Sequence, residues 1–193
     1  MLGVSVSLSE QEVHWLAFLQ SLVARGLGGM QLIVSDDHAG LKAARQAVFG
    51  GIAWQRCQFH LQQNAQAYVP RRERQAEVSN DICTIFNAPD RPTAERYLAK
   101  TVQKYAKTAS RLTDWMEKNI PKGLTVFSFP SDRQRRLRTT NVLEWVNKEV
   151  HRRTQVVSIF PNEAACLHLT SAVLMEIDEE WHTGKVYLSI FNS

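Results

Sequence analysis

At 193 residues, 44% hydrophobic and 22% charged, the chain can bury one good core with a second helical lobe and is too apolar for an intrinsically disordered segment. No apolar run approaches the roughly 20 residues of a membrane span, and the opening MLGVSVSLSEQEVHW lacks the basic and long apolar regions of a secretory signal, so a cytoplasmic location is expected. The net charge of +4 and pI near 9.1 point only weakly to a polyanionic partner, because excess charge also serves solubility.

Cys57, Cys83 and Cys166 are widely spaced, a poor disulfide framework that fits a reducing compartment. The charge is more informative by position: Pro121 to Pro161 holds eight Lys or Arg against three Asp or Glu, whereas Asn162 to Ser193 holds five acids against one Lys.

In chain order, GVSVSLS (Gly3 to Ser9) alternates with period two and predicts a short strand. Ser9 and Glu12 have the S-x-x-E spacing of a capping box, and the helix they open carries Val13, Leu16, Leu19 and Val23 on one stripe and stops at Gly26. A second strand is predicted from Met30 to Ser35, so the strand–helix–strand order implies parallel pairing. Asp36 and Asp37 follow, then a short helix from Leu41 to Phe49, a Gly-Gly break, and IAWQRCQFH, read as a strand running into a helix from about Gln58 to Tyr68. From Arg71 to about Asn119 the composition is helical: PTAERYLAKTVQKYAKT has Pro near its start, and SRLTDWMEKNIP carries its own cap and ends before Pro121. GLTVFSFP predicts a strand, SDRQRRLR a basic loop, Thr140 to Arg153 a helix, and Pro161 to Trp181 a last helix.

Four constellations carry possible chemistry, each with a plainer alternative. Asp36 and Asp37 sit at a strand's carboxyl end, where open α/β sheets place ligands and where carboxylates hold Mg²⁺; an Asx-type turn or helix cap is the alternative. Cys57 and His60 have the spacing of half a zinc site, without a second half in the chain, so packing and hydrogen bonding are the alternative. At helical spacing Asn141, Glu144, Lys148 and His151 form one polar face, with Asn147 nearby, while Val142, Val146 and Val150 lie on another side; a capping box and an i,i+4 Glu144–Lys148 pair would also explain it. Arg133, Arg135, Arg136 and Arg138, with Arg152 and Arg153 one helix later, are a phosphate-binding surface or a solvated face. Trp115 and Trp145 either stack on bases or pack in helical cores.

VSDDHAGL, RCQFHLQQNAQAYVPR, GLTVFSFP, the long block from RLRTTNVLEWVNKEVHRRT to MEIDEEW, and TGKVYL, in that order, resemble the bacterial Mutator-type insertion-sequence transposases, which are Asp-Asp-Glu enzymes. The resemblance runs from Leu2 almost to the C-terminus. It implies an α/β fold with a ribonuclease H-like core interrupted by an all-helical insertion: residues 1–70 as partial core, 71–120 as insertion, and 121–193 as the return to the core with the glutamate helix. It further implies that Asp36 is the family's second catalytic Asp and Glu144 its glutamate. Together these would share two Mg²⁺ or Mn²⁺ ions for DNA strand cleavage and strand transfer. Cys57 and His60 match the family's C-x-x-H signature, and Asn141 and Asn147 flank the glutamate, as supports of the site. Arg133, Arg135, Arg136, Arg138, Lys148, Arg152 and Arg153 are then the expected DNA contacts. Asp37 stands where family members often carry a small or polar residue and receives no ligand role.

The family's first catalytic Asp and its DNA-reading N-terminal region have no counterpart before Asp36, where Glu10 and Glu12 are the only acids. The expectation is a C-terminal fragment with its first core strands missing, inactive and poorly soluble alone. Its expected partners are insertion-element and target DNA, itself or an intact transposase, and no membrane, in a nucleoid-associated cytoplasmic setting. The rival readings are a non-catalytic DNA-binding or oligomerising remnant that modulates an intact transposase, and an unrelated metal-dependent nuclease or phosphatase.

Overall fold

The computed structural model describes residues 1–7, 11–157 and 160–183. The capping box assigned to Ser9 lies outside them. The described residues are mostly helical with one small parallel sheet, an α/β arrangement. They form two compact units: Gly29–His38 with Gly51–Thr140, and Met1–Gly28 with Ala39–Gly50 and Asn141–Ser193.

The first of these, the sheet unit, holds β1 (Leu32–Ser35) and β2 (Ala53–Arg56), paired in parallel with Leu32 opposite Ala53 and Ser35 opposite Arg56. The backbone N–H of Cys57 donates to the Ser35 carbonyl at 2.9 Å, carrying the pairing past the strand ends. Its core is made by α3 (Gln58–Ala65), α4 (Gln75–Phe86), α5 (Arg91–Tyr105) and α6 (Ser110–Asn119). Val78, Ile82, Ile85 and Phe86 give α4 a continuous apolar stripe, and Leu61, Leu112, Met116, Ile120 and Leu124 complete an interior that excludes water. Each such side chain gains about 1.5–3 kcal/mol from burial before entropy is counted. The start of α5 is set by Asp90, whose carboxylate accepts the Thr93 N–H at 2.7 Å, with Pro92 in the first turn. Helix α6 has no side-chain cap: Ala109 occupies the N-cap position, and its carbonyl accepts from Leu112 and Thr113.

Two predictions fail here for one reason, that side chains replace the expected backbone partners. GLTVFSFP is not a strand; residues 120–123 and 125–128 wind as 3₁₀ turns. The fully buried Gln55 accepts the Val126 N–H at 2.8 Å and donates to the Gly123 carbonyl at 2.7 Å, satisfying groups a ladder would have paired. Gln58 donates to the same carbonyl at 2.8 Å. SDRQRRLR is not a loop but α7 (Ser131–Leu137), opened by the Pro130 carbonyl accepting from Arg133 and Gln134, while the buried Gln134 amide donates to the Phe129 carbonyl at 2.9 Å.

In the second unit, α1 (Glu12–Ala24) packs on α2 (Ala39–Phe49), with Leu22, Ala44 and Phe49 buried. Gly26 ends α1 as foreseen: at φ 93° it lets its own N–H reach the Val23 carbonyl and the Leu27 N–H reach the Leu22 carbonyl, a Schellman closure. Residues 3–7 form no strand, contrary to their alternation; Gly3 instead lies against Leu22 and Phe18 of α1. The same unit holds α8 (Asn141–Thr154) and α9 (Glu163–Thr183), which pack through Val146, Val173 and Ile177 with Val150, Leu174 and Trp181 at the margin. The Asn162 carboxamide caps α9 by accepting the Ala165 N–H at 2.8 Å. No helix among the described residues is long and apolar enough to cross a membrane.

Candidate active site

The two adjacent aspartates after β1 have different surroundings. The Asp36 carboxylate accepts the Asp37 N–H at 2.6 Å, its carbonyl accepts the Ser35 hydroxyl at 2.7 Å, and it forms no ion pair among the described residues. Asp37 is committed to cations: its carboxylate meets the Arg56 guanidinium at 3.1 Å and the Lys122 ammonium at 3.4 Å. Arg56 and Lys122 both also donate to the Asn119 side-chain oxygen, at 2.9 and 3.1 Å. Asp37 and Arg56 are largely buried, with side-chain exposures of 15% and 7%. The pair therefore stands where loss of one partner would strand a charge away from water.

This network escaped the sequence reading because its members have no common period; Asn119 lies 63 residues from Arg56. The one available hint was the Asn119-x-x-Lys122 spacing at a helix end.

Asp36 is half-buried at the carboxyl end of β1. A hard carboxylate oxygen there, not neutralised by a protein cation, is the donor type that Mg²⁺ and Mn²⁺ accept, so the residue fits such an ion.

Cys57 and His60 open α3. The Cys57 sulfur is fully buried and accepts from the Thr140 N–H at 3.4 Å and the Thr140 hydroxyl at 3.3 Å. A His60 ring nitrogen lies within 4.8 Å of that sulfur, and the ring meets Phe59 edge-on at 5.7 Å. The Gln58 N–H donates to the Arg138 carbonyl at 2.9 Å. These bonds tie the end of the Arg-rich segment to the same strand ends that carry Asp36. Within it Arg135 and Arg136 are exposed, Arg133 has only a 4.0 Å approach from Asp132, and Arg138 donates to the Asn87 side chain at 2.8 Å. Burial, then the neighbouring Arg135 charge, lowers the Arg138 pKa.

On α8, Asn141, Asn147, Lys148 and His151 are exposed and Glu144 is half-buried. The acid that the helix's arginines use is Glu149, which bonds Arg152 at 2.6 Å and Arg153 at 2.8 Å, and Arg153 also bonds Glu176 of α9. Arg152 and Arg153 are thus engaged by acids, whereas Arg135 and Arg136 form no ion pair among the described residues. Trp115 is a core residue stacked on Tyr68 at 5.5 Å, so the base-stacking alternative fails for it; Trp145 is exposed and tilts against Trp181 at 6.3 Å.

The strand-end acidic turn and the arginines of α7 in one unit, and the Glu-bearing polar helix α8 in the other, are the groups able to engage a metal ion or a phosphate. Residues 1–184 match the family model for "Transposase, Mutator family", and the chain belongs to that family. It is 55% identical over 189 residues to the transposase for insertion sequence element IS406 of Burkholderia multivorans, covering 98% of this chain and 49% of that protein. It is similar also to the transposase for ISRM5 of Rhizobium meliloti, 38% identical with 98% and 48% covered. The transposase for IS256 in transposon Tn4001 of Staphylococcus aureus is 30% identical, with 98% and 49% covered. The chain spans about half the length of these curated relatives.

Proposed function

We propose that this chain supplies the second acidic turn and the glutamate helix of an insertion-sequence transposase that cleaves and transfers DNA strands. In this reading Asp36 and Glu144 hold the divalent ions within a ribonuclease H-like core, and the helical segment from about Arg71 to Asn119 is the insertion. Bound Mg²⁺ or Mn²⁺ supplies a polarised nucleophile and neutralises the leaving oxygen of the phosphodiester. Arg133, Arg135 and Arg136 bind the DNA backbone as charged forks, and Arg138 braces the segment through Asn87. Cys57 and His60 support the acidic strand end, while Asn141, Asn147 and Lys148 flank Glu144 toward the DNA.

The observation that carries the reading is the contrast at the turn: Asp37 is neutralised by Arg56 and Lys122, whereas Asp36 forms no ion pair among the described residues. A pair serving only as a turn or cap has no need of that asymmetry. Because the chain spans about half of its relatives, catalysis is assigned to the full-length protein and the 193-residue chain alone is expected to be inactive.

The test is Mg²⁺-dependent cleavage and joining of element-end DNA by this chain alone and by the chain extended to the length of its relatives. Activity in the extended form that Glu144→Ala abolishes is the expected result. Activity untouched by Glu144→Ala would reject the assignment and favour a non-catalytic, DNA-binding role for this part of the protein.

A further inference from the structure

The established family membership says nothing about the second aspartate of the turn, and its surroundings give it a distinct task. We infer that Asp37, through Arg56, Lys122 and Asn119, is a positioning residue that fixes the acidic turn so that Asp36 meets a divalent ion, without itself touching that ion. The inference rests on the metal-binding reading of Asp36 given above.

Three observations carry it. First, the Asp37 Oδ2 is engaged at 3.1 Å by Arg56 and at 3.4 Å by Lys122, and these cations compete directly with a metal for that oxygen. Second, the network reaches three separate segments: the end of β1, the end of β2, and the turn after α6, where Asn119 accepts from both Arg56 and Lys122. A carboxylate engaged by two cations that share Asn119 cannot swing without stranding a buried guanidinium. Third, the Asp37 backbone N–H is the group that the Asp36 carboxylate accepts, at 2.6 Å. Fixing Asp37 by its side chain therefore fixes the donor that orients Asp36. Partners of this kind, acting on a ligand rather than on the ion, set its direction and with it the metal affinity.

The experiment uses the chain extended to the length of its relatives and Mn²⁺ alone, read from the loss of the free-ion electron paramagnetic resonance signal. The variants are Asp36→Asn, Asp37→Asn and Lys122→Met, each measured well below its own melting temperature. Lys122→Met, which removes the more exposed of the two cations, keeps the test informative where Asp37→Asn fails to fold. The expected result is that Asp36→Asn abolishes saturable binding, while Asp37→Asn weakens it about tenfold to a hundredfold and Lys122→Met weakens it in the same direction by less. The water count on the bound Mn²⁺, read from line broadening in water enriched in the magnetic oxygen isotope, stays at the wild-type value in Asp37→Asn.

Wild-type affinity in the Asp37→Asn or Lys122→Met protein, accompanied only by a lower melting temperature, would make the network purely structural and overturn the inference while leaving the reading of Asp36 intact. An extra water on Mn²⁺ in Asp37→Asn would make Asp37 a ligand and overturn it equally. No saturable binding by the wild-type chain, or binding indifferent to Asp36→Asn, would overturn the metal reading itself and this inference with it.

Discussion

The two units hold themselves together by different means. In the sheet unit, α3 to α6 bury a large cluster in which Leu61, Ile82, Ile85, Leu112, Met116, Ile120 and Leu124 are inaccessible to water. In the other, α8 and α9 meet through three buried side chains, Val146, Val173 and Ile177, and an ion-pair group of Glu149, Arg152, Arg153 and Glu176. Val142, Leu143, Trp145 and Met175 of these two helices remain 44 to 64% exposed. The difference teaches that the α8–α9 pair, with few buried side chains, takes a larger share of its stability from charges, which salt screens, whereas in the sheet unit ion pairs such as Lys104 with Glu77 and Asp81 are added to a large packed core.

The largest effects should separate them by core truncation. Leu112→Ala in the sheet unit should cost about 3–5 kcal/mol, near the upper end for such changes, and Ile177→Ala about 2 kcal/mol, because the α8–α9 site can collapse toward solvent. Urea unfolding followed by residue-resolved amide exchange measures both; equal losses would erase the contrast. Next comes Gln55→Leu, expected to cost roughly 1–3 kcal/mol, because it leaves the Val126 N–H without its acceptor. Overpacking is the third: a Cβ at Gly123 would come within 2.6 Å of Leu61 Cδ1 and 3.1 Å of Phe86 Cε1, so Gly123→Ala should destabilise by about 1–3 kcal/mol in the same assay.

A smaller effect sharpens the electrostatic half of the comparison. Hydrogen bonds from Arg152 and then Arg153 push the Glu149 pKa down to about 2 from 4.5. A carboxylate depressed by folding contributes stability that is fully present above its unfolded value and is lost as pH falls through the folded one. Amide exchange in α8 and α9 should therefore accelerate between pH 4.5 and about 2, and Glu149→Gln should flatten that dependence. Each rate is compared with the intrinsic rate of an unprotected amide at the same pH. Smallest in energy but direct for function, Arg135→Ala and Arg136→Ala should each reduce the salt slope of duplex binding by about 0.9 per phosphate contact. Arg152→Ala should change it less, since Glu149 already engages that guanidinium.

Much of the acidic-turn region was legible in the sequence. The run from Leu32 through Asp36, the helix to Phe49, the Gly-Gly break and the strand ending before Cys57 follow local rules of pattern and punctuation. The helices between Arg71 and Asn119 and the helix that carries Glu144 were legible for the same reason, to within a few residues at their ends. What escaped depends on partners remote in sequence: Gln55 satisfies Val126 71 residues away and turns a predicted strand into 3₁₀ turns. From the residues alone Asp36 and Asp37 were equal candidates and the family resemblance chose Asp36; Arg56 and Lys122, arriving from other segments, give the physical difference between them. The first predicted strand failed because alternation states which face a strand would bury, not whether a neighbour exists to pair with it.

We propose Asp36 and Glu144 as the carboxylates through which a transposase containing this chain uses divalent metal on DNA. The most direct measurement is strand transfer of element-end DNA in Mg²⁺ by the full-length protein, with Asp36→Asn and Glu144→Gln compared against the wild type at equal DNA occupancy. The account predicts that both variants bind DNA as the wild type does and join no strands. Strand transfer at the wild-type rate by either variant would contradict it.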